Sequence, residues 1–315
     1  MARGIKWNAT DVPDLDGRTY VVTGATSGLG LATAVELARH RAEVIVTGRN
    51  PERLQQALEA VSAEATGAAP QQVIMDLASL ASVREAAGEI IAATDQVNVL
   101  INNAGVMATP QNVTVDGFEL QIGTNHLGHF ALTGLLLEAM PLDDLATDNR
   151  VVNVSSGAHR MGKVNVADLN YTDRKYNPWQ AYGQSKLANL LFTLELQRKA
   201  AVAGWSLRSL AAHPGWSATN LQFSGPQLAQ NVVGKYTTKV ANSIIGQSAE
   251  DGALPQLRAA TDPAAESGEY YGPDGFMEMR GKPVIVDRSS DAQDEANAAA
   301  LWELSEELTN VTFPA

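Results

Sequence analysis

Cysteine is absent from all 315 residues. Disulfides, thiolate nucleophiles and zinc–thiolate centres are therefore excluded. The absence is compatible with a reducing cytoplasm, which is the expected location. Basic residues are also scarce, with 23 Lys and Arg against 35 Asp and Glu and a formal net charge of -12. A surface of that sign repels phosphate backbones and anionic membranes, so no nucleic-acid or membrane partner is expected. No apolar run reaches the roughly 20 residues needed to span a bilayer, and residues 1–17 carry no apolar signal-peptide core. Repeats and low-complexity tracts are missing too.

What the chain does have is apolar content, 45% of its residues, enough for a full core in one domain. Short β-like runs at 20–23, 44–47, 72–75, 97–101, 151–154 and 206–211 alternate with helical patterns at 29–40, 51–63, 80–92, 118–140 and 182–203. That alternation predicts an α/β fold, a doubly wound parallel sheet of the Rossmann type. Asn50 before Pro51, and Ser79, are expected helix caps. After residue 215 the alternation fades, and 216–263 is expected to form a small helical substrate cap, with Leu221, Phe223, Val232, Val233, Ile244 and Ile245 as its apolar members. The whole of 1–315 is expected to be one domain carrying that insertion, with a last strand at 282–286 and a terminal helix at 291–308.

The most informative stretch is Thr23-Gly24-Ala25-Thr26-Ser27-Gly28-Leu29-Gly30, between the first strand and the first helix. Glycines there let a diphosphate approach backbone N–H groups at a helix N-terminus. The spacing G-x-x-x-G-x-G is not the common dinucleotide fingerprint G-x-G-x-x-G, and a glycine-rich tight turn is the plain alternative. At the end of the second strand, where NAD enzymes place an acidic residue on the ribose 2′-hydroxyl, the chain reads Thr47-Gly48-Arg49-Asn50. Arg49 suits a 2′-phosphate, so NADP(H) is favoured over NAD(H). The alternative for Arg49 is a solvated loop charge.

Tyr182 and Lys186 stand four apart, on one face of a predicted helix. A phenol with a pKa of about 10 needs help to exchange protons at neutral pH, and a neighbouring ammonium favours the phenolate. The pair is a candidate general acid or base, although Tyr-x-x-x-Lys also arises by chance.

Taken together the motifs resemble the short-chain dehydrogenase/reductase superfamily, in its single-domain branch, and most nearly the retinol-dehydrogenase-like group. They follow that family's order: Thr23 to Gly30, Asp76-Leu77, Asn102-Asn103-Ala104-Gly105, Asn125-His126-Leu127-Gly128-His129-Phe130, Ser155-Ser156, Tyr182 to Lys186, and His213-Pro214-Gly215. The resemblance implies that Tyr182 protonates a carbonyl oxygen as hydride arrives, and that Lys186 lowers its pKa and holds the nicotinamide ribose. It implies that Ser156, in preference to Ser155, hydrogen-bonds the substrate oxygen, and that Asn125 supports a water link to Lys186. Gly24, Ser27, Gly28, Leu29 and Gly30 would contact the phosphates, Asp76 and Leu77 the adenine, Asn103, Ala104 and Gly105 the adenosine ribose, and Pro214 and Gly215 the nicotinamide. Relatives often pair through the helices holding Asn125 and Tyr182, which makes a homodimer or homotetramer compatible, though some are monomers.

The expected activity is NADP(H)-dependent interconversion of a carbonyl and an alcohol on a lipophilic small molecule. Retinal itself is disfavoured, because the apolar N-terminal anchor of membrane-bound retinol dehydrogenases is not seen. The alternative is a catalytically silent NADP(H)-sensing protein, which would have no need of Ser156, Tyr182 and Lys186 together. A sugar-nucleotide epimerase would carry T-G-x-x-G-x-x-G and a larger C-terminal domain, and protochlorophyllide reductases are associated with cysteine chemistry. His126 and His129 lack a third ligand, so no metal is expected. His213 reads as part of the turn before Pro214, and Phe276, Met277 and Met279 as packing or as the edge of a pocket.

Overall fold

Both faces of the strand-like runs are apolar, as a sheet covered on two sides requires. The computed structural model describes residues 7–144, 146–216 and 247–314. Its strands are β1 (Thr19–Val22), β2 (Glu43–Gly48), β3 (Gln71–Ile74), β4 (Val99–Asn102), β5 (Asn149–Val154), β6 (Leu207–Ala212), β7 (Tyr270–Pro273) and β8 (Pro283–Ile285). They form one sheet in the order β3-β2-β1-β4-β5-β6-β7-β8. Neighbours are parallel except for the antiparallel pair β7 and β8. This is the expected doubly wound α/β sheet. β7 is the strand the pattern hides, because its Gly272 and Pro273 read as a turn; pairing with β6 draws it into the sheet.

The helices are α1 (Gly28–Arg39), α2 (Pro51–Glu64), α3 (Leu80–Ala93), α4 (Leu120–Ile122), α5 (Gly128–Leu136), α6 (Pro178–Ala203), α7 (Ala249–Thr261) and α8 (Glu295–Thr309). Side chains alternate along each strand. Val22 joins Leu37 of α1 and Leu254 and Leu257 of α7 on one face. Val21 joins Ile90 of α3, Phe130 of α5, Phe192 of α6 and Trp302 of α8 on the other.

Two expected helices differ in detail. The 118–140 pattern is interrupted by a π-helical turn, Gly123–Leu127, and α6 begins four residues early because Asn177 caps it and Pro178 occupies its first position. Of the expected cap, 217–246 lies outside the described residues. Within its last part, α7 buries Ala253, Leu254 and Leu257 against the sheet.

β1 lies between β2 and β4, so the chain reverses direction across the sheet there. Such a switch point opens a crevice at the carboxyl ends of the strands.

Candidate active site

The crevice begins at the glycine turn. Gly24 and Gly28 both have positive φ, +66 and +58, and a Cβ on Gly24 would lie 2.8 Å from that of Ala104. The turn therefore packs directly on the end of β4, and only glycine fits. α1 then starts at Gly28 with no side-chain cap from Ser27. In contrast α2, α3, α6, α7 and α8 are capped by Asn50, Ser79, Asn177, Ser248 and Asp294. The first N–H groups of α1 thus remain available at the positive end of a helix, which suits an anionic diphosphate. These residues fit a nicotinamide dinucleotide.

Thr23 organises the turn. Its Oγ1 accepts hydrogen bonds from the backbone N–H groups of Asn103 and Ala104, each at 2.9 Å, and lies 2.9 Å from His129 Nε2. Asn103 Nδ2 donates to the Thr23 carbonyl at 2.7 Å. Sequence reasoning quoted Thr23 in the motif without giving it this role. Leu77 is buried, and Asp76 Oδ1 accepts from Ala78 N–H at 3.0 Å, closing the turn after β3. Arg49 is exposed immediately after β2.

Further along the crevice, Ser156 follows β5 and Tyr182 sits in the second turn of α6. They are 26 positions apart in sequence, yet the fold brings the Ser156 hydroxyl near enough to the Tyr182 phenol to oppose the rise of its pKa. Ser155 instead points into the fold, donating to the Lys186 carbonyl at 2.8 Å. Lys186 Nζ donates to the Val154 carbonyl at 3.0 Å and lies 5.8 Å from the centre of the Tyr182 ring.

Burial dominates the titration of the pair. It pushes the Tyr182 phenol up to about 12, partly opposed by Ser156, and pushes the Lys186 ammonium down to about 8. The expected depression of Tyr182 by Lys186 is not what this arrangement gives, because the ammonium is turned to the Val154 carbonyl. At neutral pH the phenol is protonated and able to donate.

Asn125 lies in the π-helical turn. Its Nδ2 donates to the Val106 carbonyl at 2.9 Å and to Ser185 Oγ at 2.8 Å, while Oδ1 accepts from Val106 N–H at 2.8 Å. Both amide hydrogens are thus committed to holding the loop after β4 against α6, and the side chain does not offer a donor to a water link. Its backbone carbonyl faces His129 Nδ1 at 3.0 Å. His126 Nε2 lies 3.0 Å from Ser305 Oγ. Burial pushes His126 down to about 3 and His129 down to about 4, so both are neutral core residues. Among the described residues no cluster suited to a metal occurs, and no helix is long and apolar enough to cross a membrane.

Residues 18–225 match the family model described as short chain dehydrogenase. The chain belongs to that family and is an oxidoreductase that moves hydride between a nicotinamide cofactor and a CH–OH or C=O group. Within the family it falls in the retinol-dehydrogenase-like group. It is 38% identical over 306 residues to Retinol dehydrogenase 13 of Homo sapiens, covering 95% of this chain and 87% of that protein. An uncharacterised protein from Mycobacterium paratuberculosis, known from a crystal structure, is 45% identical with a TM-score of 0.80, covering 98% of this chain and 99% of that one. A short chain dehydrogenase from Shigella flexneri, solved in complex with NADP, is 25% identical with a TM-score of 0.60, covering 82% of this chain and 97% of that one.

Proposed function

We propose that the protein is an NADP(H)-dependent reductase or dehydrogenase of lipophilic carbonyls and alcohols, with Tyr182 as its proton donor and acceptor. The observation that carries this reading is the buried Tyr182 phenol, with Ser156 and Lys186 beside it at the carboxyl end of the sheet. The backbone of Gly24, Ser27, Gly28, Leu29 and Gly30 would hold the diphosphate, Asp76 and Leu77 the adenine, and Asn103, Ala104 and Gly105 the adenosine ribose. Pro214 and Gly215 would hold the nicotinamide, and Lys186 its ribose. Arg49 would pair with the 2′-phosphate, a role supported by its exposure and by the lack of a carboxylate at the tip of β2.

The bound nicotinamide supplies or accepts the hydride. In reduction, Tyr182 gives its proton to the carbonyl oxygen while Ser156 donates a hydrogen bond to the same atom. Both interactions strengthen as negative charge gathers on that oxygen, which is where a hydrogen bond accelerates a reaction. Asn125 holds the Val106 loop and, through Ser185, the backbone of Tyr182, whose carbonyl accepts from Ser185 Oγ at 2.8 Å. It is a positioning residue in this scheme.

A lipophilic substrate is supported by the surface around Tyr182. Trp179 is half exposed and sits edge-on to Tyr182 with ring centres 6.2 Å apart. Met161, at the end of the turn after Ser156, is also exposed, as are Phe276 and Met277 of the loop whose Glu278 reaches Arg160 of that turn. The name of the human relative, a retinol dehydrogenase, points the same way. The direct test is a screen of long-chain aldehydes, ketones and alcohols with NADPH or NADP, followed by nicotinamide absorbance. Turnover of an apolar member is expected; NADPH binding with no turnover on any member would favour the silent binding protein.

A further inference from the structure

The loop between β7 and β8 is built in an unusual way. Met277 and Glu278 are adjacent non-glycine residues with positive φ, 52 and 56, and such backbone persists only where its surroundings hold it. Here the Glu278 N–H donates to the Gly275 carbonyl at 2.9 Å and Gly275 N–H to the Arg280 carbonyl at 3.0 Å. The result is to turn the Glu278 carboxylate, still 28% exposed, toward the ends of β5 and β6. Its Oε2 lies 3.0 Å from His213 Nε2 and its Oε1 lies 3.5 Å from Arg160 Nη2.

His213 is buried, 2% exposed. Its Nδ1 accepts from the Gly215 N–H at 3.2 Å, so the ring proton is on Nε2, toward the carboxylate. The ring fits tightly, since a Cβ on Gly272 would collide with it. Gly215 has φ +66 and a Cβ there would collide with the Met279 carbonyl, which also accepts from Trp216 N–H at 2.7 Å. The Pro214–Gly215 turn is therefore gripped twice by one loop.

Arg160 belongs to the turn Gly157–Met161 that follows Ser156. It donates to the Asp287 carbonyl at 2.7 Å. Its neighbour His159 faces the Ser156 carbonyl through Nδ1 at 2.7 Å and accepts from Ser289 N–H at 3.3 Å. One carboxylate thus spans the turns at the ends of β5 and β6.

We propose that Glu278, acting through His213 and Arg160, is a positioning residue that sets the spacing between the Ser156 turn and the Pro214–Gly215 turn. The proposal rests on reading those turns as the carbonyl-binding and nicotinamide-binding parts of the site. The approach of Glu278 to His213 Nε2 is a 3.0 Å charge contact and not an aligned hydrogen bond, and a carboxylate at this place favours the His213 tautomer that carries its proton on Nε2 and accepts from Gly215 through Nδ1. Without it, a proton on Nδ1 would oppose the Gly215 N–H and shift the turn.

Two measurements test this. In the wild-type protein with NADPH, 15N chemical shifts of His213 are expected to show a proton on Nε2 and none on Nδ1; the reverse overturns the proposal. The second compares Glu278→Ala, Glu278→Asp and Glu278→Gln with Tyr182→Phe, using decanal as the carbonyl probe and nicotinamide fluorescence for NADPH affinity. Ala and Asp, which cannot reach His213, are expected to lower kcat about tenfold or more, as small misplacements do. Their NADPH Kd is expected to stay within about threefold, since α1 holds the diphosphate, and Gln, which keeps an acceptor oxygen at the same reach from His213, is expected to restore most of kcat. Wild-type kcat in Ala, or a Gln variant as impaired as Ala, overturns the proposal. A substantially active Tyr182→Phe protein would instead overturn the reading of the site itself.

Discussion

Gly162 and Gly183 meet backbone to backbone: a Cβ on Gly162 would collide with the Gly183 carbonyl, and one on Gly183 would lie 2.8 Å from the Ala158 carbonyl. This contact seats the Ser156 turn on α6 and brings Ser156 to Tyr182. Gly162→Ala is expected to cost about 1–3 kcal/mol, the usual range for overpacking, and to lower kcat along with it. Gly157→Ala, where an added Cβ meets nothing within 4 Å, is expected to stay within about 0.5 kcal/mol. Urea unfolding of both variants decides the matter, and equal losses would contradict the packing argument.

Cofactor preference is best probed at Arg49. Gly48→Asp is a poor test, because a Cβ at Gly48 collides with the Thr26 methyl. If Arg49 holds the 2′-phosphate as proposed, Arg49→Gln would remove a charge-assisted hydrogen bond worth about 1.5–3 kcal/mol, so NADPH affinity is expected to fall about tenfold or more while NADH affinity barely moves. Parallel titrations with the two nucleotides check this, and equal changes would remove Arg49 from the 2′-phosphate site.

Thr23 accepts two backbone N–H groups at once. Thr23→Val keeps the shape and leaves the Ala104 N–H without its partner, while the Asn103 N–H keeps the Ile101 carbonyl at 2.9 Å, a loss of about 1–3 kcal/mol for the unsatisfied group. Lower stability and weaker NADPH binding are expected together, measured by thermal unfolding with and without NADPH. Unchanged values in both would show that the hydroxyl is dispensable.

The buried histidines set an acid limit on stability. His126 and His129 are pushed down from 6.5 to about 3 and about 4 by burial. Below pH 6.5 the unfolded chain takes up protons that the folded chain refuses, so stability falls as pH drops from 6.5 toward 4. Each contributes a slope of at most about 1.4 kcal/mol per pH unit. Unfolding free energies at pH 7.5, 6 and 5 are expected to decline, with a shallower decline in His126→Gln; a flat profile in the wild-type protein would contradict neutral histidines.

The strand and helix alternation and the order of motifs were legible because parallel strands buried on both faces and glycine turns leave strong local patterns. The glycine turn and the Tyr182–Lys186 pair stand out by their spacing alone, whereas Ser156 follows only from the resemblance to the short-chain dehydrogenase family. What local pattern does not encode is how those residues are oriented. Lys186 turns to the Val154 carbonyl and Asn125 is consumed by Val106 and Ser185, both through contacts set by packing between distant segments. β7 escaped notice because Gly272 and Pro273 carry turn propensity, and Gly272 is small to admit the His213 ring.

The central claim is that the Tyr182 phenol supplies the proton. With decanal and NADPH, Tyr182→Phe is expected to bind NADPH with wild-type affinity, by fluorescence titration, and to reduce the aldehyde about 100-fold or more slowly, as loss of a general acid implies. Turnover within a few-fold of wild type would contradict it.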